Sequence, residues 1–109
     1  MLSCMRLVWH LGAAALPLSS MEAAYAQADK AFGQYLSSEC VTCHQLTGRT
    51  EGIPSIVGWP EPTFIAIMDD YRQKRRDNPI MRAIAGRLSD REIASLATYF
   101  ASVPAENIK

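Results

Sequence analysis

Cys40-Val41-Thr42-Cys43-His44 is the stretch of this chain best equipped for chemistry. Two thiols three positions apart, followed at once by an imidazole, form the C-x-x-C-H signature of covalent haem attachment. Each cysteine can form a thioether to one vinyl group of the porphyrin. His44 can then present its ring nitrogen to the iron as the proximal ligand. The predicted cofactor is therefore one covalently attached haem c, with Cys40 and Cys43 as its anchors and His44 as an iron ligand.

Two other chemistries use similar residues. A structural zinc site needs about four Cys, His or carboxylate ligands, and nothing near the motif completes such a set. A thioredoxin-like dithiol needs βαβ patterning around it, and the chain has none.

The histidine and cysteine counts sharpen the haem reading. The 109-residue chain has three cysteines and two histidines. Cys4 and His10 lie in a segment with the marks of a secretory signal: Arg6, the apolar run Leu7 to Leu18, then Ala24-Tyr25-Ala26. The expected cut after Ala26 leaves residues 27–109 as one domain. Cys40 and Cys43 are then the remaining cysteines, and His44 the remaining histidine. A bis-histidine haem within one chain is thereby excluded, as is a second C-x-x-C-H site. Export also fits the cofactor, and the expected location is the periplasm.

Only Met68 and Met81 survive the cut as candidates for the other face of the iron. Met68 falls on the apolar stripe of a helix, where a methionine ordinarily fills core space. Met81 follows an Asn-Pro break, where a loop could direct its sulfur inward. Met81 is the predicted distal ligand, with Met68 or an open position as the alternatives. A His/Met pair fills both axial sites and raises the reduction potential relative to two histidines. This predicts electron transfer rather than catalysis at the iron, so the chain is not expected to be an enzyme. The Pro54 carbonyl, ten residues beyond His44, is the expected acceptor for the His44 Nδ1 proton.

Three amphipathic helices would position these groups. The first is expected over Ala28 to Glu39, with Ala28, Ala31, Phe32, Tyr35 and Leu36 on one face. Gly33 inside it reads either as close approach of another helix or as a tolerated glycine on the outer face. The second is expected over Pro62 to Arg76, with Phe64, Ile67, Met68 and Tyr71 as its stripe. The third is expected over Asp90 to Ser102, opened by a Ser89/Glu92 capping box and closed before Pro104. A shorter turn or helix covers Met81 to Gly86. The fold class is all-α: three main helices plus short turns around one haem.

Charge is balanced, with 11 basic and 11 acidic residues. Cutting after Ala26 removes Arg6 and Glu22 and preserves the balance. That argues against nucleic acid as a partner. No second apolar run is long enough to span a membrane in the mature chain. The basic run Arg72 to Arg76 reads either as a solvated helix end or as a docking surface for an acidic partner. Arg49, Arg82, Arg87 and the Trp59 indole are candidates for the haem propionates.

The order of these pieces resembles the class I c-type cytochromes of the short bacterial kind. The resemblance rests on the C-x-x-C-H motif, Gly52-Ile53-Pro54, Phe64-Ile65-Ala66 with Met68, and Asn78-Pro79-Ile80-Met81. It continues through Ala85-Gly86-Arg87-Leu88-Ser89-Asp90 and the Ile93, Leu96-Ala97, Tyr99-Phe100 pattern. It is similar to single-haem domains of periplasmic two-haem cytochromes and to the cytochrome subunit of flavocytochrome c sulfide dehydrogenase. Gln45 stands where the family often has glycine.

The resemblance implies an electron-transfer subunit or dedicated acceptor of a dehydrogenase, with a flavoprotein as the partner. A freely diffusing single-haem shuttle and a haem sensor or catalytic haem protein with an open distal site are the competing expectations.

Overall fold

The computed structural model of the chain describes residues 12–15, 17–47 and 52–105. The expectations that fall on Arg6, on half of the apolar run after it and on Arg49 lie outside these residues. Four helices make up the fold: α1 (Leu18–Leu36), α2 (Glu61–Arg72), α3 (Pro79–Gly86) and α4 (Asp90–Ser102). No β-strand element occurs among the described residues. A 3-10 turn, Ser37–Glu39, continues α1 directly into Cys40.

The N- and C-terminal helices cross at Gly33. A Cβ there would collide with the Ser95 carbonyl oxygen of α4, and would stand 2.6 Å from the Ser95 carbonyl carbon and 2.9 Å from the Tyr99 Cβ. Only a residue without a side chain permits this approach, so Gly33 lies at the crossing and not on the outer face. The crossing also sets the rotation of α1. Gly33 and Ser37 are buried, and Phe32 and Leu36 are half-buried. Tyr35, expected on the inner face, is 76 % exposed. Phe32 carries the Arg91 guanidinium over its ring at 5.4 Å.

The core joins α2 and α4 to the loop before α2. Phe64, Met68, Ile93, Leu96, Ala97 and Phe100 are buried with Ile56, Val57 and Ala85. Phe64 and Phe100 stack with their ring centroids 5.7 Å apart. Gly58 adopts φ 72°, a left-handed conformation that favours glycine. There its N–H donates to the Phe100 carbonyl at 2.9 Å.

Helix ends follow local chemistry. The Ser89 hydroxyl accepts from the Glu92 N–H, and the Glu92 carboxylate accepts from the Ser89 N–H, so the capping box is complete. α2 stops at Arg72 and does not reach Arg76. Lys74 takes φ 60°. The Arg75 N–H then donates to the Asp70 carbonyl, and the Lys74 N–H to the Tyr71 carbonyl. This is a Schellman closure with lysine in the place usually held by glycine.

The basic run is thereby folded back on the molecule. Arg72 donates to Asp69 at 3.0 Å and to Asp90, at the start of α4, at 2.6 Å. Arg75 donates to Asp69 at 2.9 Å and to Asp70 at 2.8 Å. These guanidiniums neutralise the molecule's own carboxylates.

Candidate haem site

The Asn-Pro pair is a helix start rather than a loop. The Asn78 side-chain oxygen accepts from the Ile80 and Met81 N–H groups, each at 3.0 Å. Pro79 occupies the first helical position, where its missing N–H costs nothing. Met81 therefore sits in the first turn of α3, where the sequence suggested a loop.

Cys40, Cys43 and His44 occupy the helical turn that follows the 3-10 segment. The His44 N–H donates to the Cys40 carbonyl at 2.8 Å. That bond sets the histidine beside the two thiols. The His44 Nδ1 lies 2.7 Å from the Pro54 carbonyl oxygen. A carbonyl only accepts, so Nδ1 carries a proton, and in the neutral ring the lone pair that a metal would take lies on Nε2.

A cavity of about 390 Å³ gathers these groups. Cys40, Cys43, His44, Pro54, Met68 and Met81 all line it, from four separate stretches of the chain. The rest of its wall is chiefly apolar, with Ile56, Phe64, Ile67 and Ile84. A second cleft of about 490 Å³ lies between α2 and the start of α4. Its lining includes Pro62, Ile65, Asp69 and Arg72, with no cysteine, histidine or methionine.

The two thiols are free. Burial pushes the Cys40 thiol up to about 11, and the adjacent Glu39 carboxylate adds to the rise. A reactive redox dithiol requires a depressed thiol pKa, so this environment argues against thioredoxin-like chemistry. No group of three or more His, Cys, Asp or Glu side chains able to hold a metal occurs among the described residues. The residues fit a haem: two unpaired thiols, an imidazole with a free nitrogen, thioether sulfur and apolar walls.

Four candidates for the propionates meet different fates. Arg82 donates to the backbone carbonyls of Arg76 and Lys74 and pairs with Asp77 at 3.7 Å. Arg87 pairs with Glu39 at 3.4 Å. Arg49 lies outside the described residues, and Trp59 lines the cavity. Sequence reasoning missed Arg76 as a cavity residue. Its guanidinium sits 5.4 Å from the Tyr71 ring centroid, and both residues line the cavity. No periodicity marks it, because it follows the turn at Lys74 and not a helical stripe.

No protein-family model matches the chain. Two characterised relatives do. The chain is 33% identical over 104 residues to the thiosulfate dehydrogenase electron acceptor of Stutzerimonas stutzeri, covering 89% of this chain and 48% of the relative. It is 32% identical over 81 residues to cytochrome c4 of Pseudomonas aeruginosa, covering 72% of this chain and 40% of the relative. The chain is a class I c-type cytochrome. Haem, iron and electron transport come with that family. This cytochrome spans less than half the length of each of these relatives. No helix among its described residues is long and apolar enough to cross a membrane.

Proposed function

We propose that this cytochrome carries one covalently attached haem c and passes single electrons in the periplasm, after removal of residues 1–26. Cys40 and Cys43 hold the haem through thioethers. His44 and Met81 would ligate its iron. The observation that carries this reading is the convergence of Cys40, Cys43, His44 and Met81 on one apolar cavity. When bound, the haem supplies a one-electron ferric/ferrous couple.

The chain's own groups divide the remaining work. The Pro54 carbonyl holds the His44 ring in one tautomer and one orientation. The apolar walls exclude water, and the Met81 thioether would occupy the iron in competition with oxygen, peroxide or substrate. Arg76 and Trp59 are suited to the haem carboxylates. These roles describe an electron carrier and not a catalyst.

The partner is a periplasmic dehydrogenase that uses the cytochrome as subunit or dedicated acceptor. A relative named as the electron acceptor of thiosulfate dehydrogenase supports such a donor. A flavoprotein that oxidises sulfide, implied by the flavocytochrome resemblance, belongs to the same class of donor.

The test is gentle purification of the native protein from periplasm, with optical spectra of each fraction. A dehydrogenase should co-elute, and thiosulfate or sulfide should reduce the haem only through it. A haem protein that runs alone and accepts electrons equally from unrelated donors would instead be a diffusing shuttle. Ligand binding to ferrous haem without displacement of Met81 would indicate an open-site sensor.

A further inference from the structure

Arg82 follows Met81 directly on α3, and its side chain reaches away from that helix. Its Nε donates to the Arg76 carbonyl at 2.7 Å, and one terminal nitrogen donates to the Lys74 carbonyl at 3.1 Å. The other terminal nitrogen lies 3.7 Å from Asp77. All three partners belong to the segment that leaves α2 after its Schellman closure. The fork of the guanidinium thus spans the turn between the two helices, a geometry that lysine cannot reproduce.

Apart from the half-buried Met81 itself, which packs against the core, the first turn of α3 has little else to hold it. Ala85, near the far end, is the buried residue of this helix. Pro79 is exposed and Ile80 is 71 % exposed. The Asn78 cap organises the turn internally but does not tie it to the rest of the molecule. Charge-assisted bonds to carbonyls are stronger than neutral ones. Arg82 is therefore the main polar tether of the methionine-bearing turn among the described residues.

We propose that Arg82 is a positioning residue that clamps Met81 in place, so that loss of the Arg82 bonds frees Met81 to leave the iron. The inference rests on the reading of Met81 as distal ligand. The clamp acts from outside the cavity, through the backbone of 74–76, and needs no contact with the haem. It also fastens the segment that carries Arg76 to the same helix.

The test is imidazole titration of the ferric holoprotein, with wild type, Arg82→Gln, Arg82→Lys and Met81→Ala compared. The absorption band specific to thioether-ligated ferric haem is followed in parallel. Arg82→Gln should bind imidazole roughly tenfold more tightly, equivalent to about 1.4 kcal/mol, with that band lost in step. Arg82→Lys keeps the charge but gives up the fork, and should fall between. It carries the same test if Arg82→Gln does not accumulate. Met81→Ala should bind imidazole most tightly of all.

Wild-type imidazole affinity in the Arg82 variants, with Met81→Ala much tighter, overturns the clamp and leaves the Met81 assignment standing. Wild-type affinity in Met81→Ala overturns the assignment and the clamp with it.

Discussion

The backbone of Gly33 rests against the Ser95 carbonyl with no space for a methyl group between them. The contact is backbone to backbone, so no flexible side chain can swing aside to admit one. Gly33→Ala would gain about 1 kcal/mol of helix propensity. It would also force α1 and α4 apart, at a cost of ~3 kcal/mol or more. We expect the holoprotein to lose roughly 10 °C or more in Tm, on the scaling for small domains. A thermal melt followed at the haem absorption checks this, and an unchanged Tm would contradict the tight crossing.

The two methionines of the cavity should separate cleanly. Met68 is 5 % exposed and packed in the core, so Met68→Ala should cost about 2–5 kcal/mol of stability and leave the reduction potential near wild type. Met81 is only half-buried, and Met81→Ala should cost less stability, lower the potential and open the iron to added ligands. Potentiometry and denaturation of both variants provide the check. The reverse pattern would make Met68 the ligand.

Lys74 holds a left-handed conformation at φ 60°, which penalises a residue with a Cβ by about 1–2 kcal/mol. Glycine would remove that penalty but lose more freedom on folding. Lys74→Gly is therefore expected to stabilise the protein by ~0.5–1 kcal/mol. The denaturation midpoint should rise at constant m-value.

Asp69 accepts from both Arg72 and Arg75, and these guanidiniums, Arg72 first, hold its carboxyl below the ordinary 3.8. A carboxyl depressed in the folded state stabilises the protein above its unfolded pKa. That stability is lost as the pH falls below 3.8 through the lower folded value. Asp69→Asn should be less stable than wild type near neutral pH, with the gap closing under acid. Melts across an acid series measure it. A gap that stays constant down to full protonation would exclude this linkage.

Much of the fold could be read before the structure. α4 begins and ends where Ser89, Glu92 and Pro104 indicate, because caps and prolines act through local chemistry. The thiols, His44, Pro54 and Met81 line one cavity because the motif and its loop carry strong local signals. The end of α2 was less legible. Lysine seldom adopts the left-handed turn, so nothing at Lys74 announced a stop after Arg72. The inner face of α1 was misjudged at Tyr35 because the contact of Gly33 with Ser95, and not apolar spacing, sets its rotation. Arg76 was missed because its place depends on that same turn, and the sequence left Arg82 as one of four candidates for the propionates, with no signal that its side chain spans to the backbone of 74–76.

The segment 54–58 has one end against the His44 ring and the other hydrogen-bonded to the Phe100 carbonyl at the C-terminal end of α4. Between these ends, Ile56 and Val57 are buried. The segment thus works as a strut, and the aim of the imidazole is referenced to the far terminus of the domain rather than to the cysteines beside it. Loosening α4 at its last turn would tilt the ring without touching a single group that holds the haem.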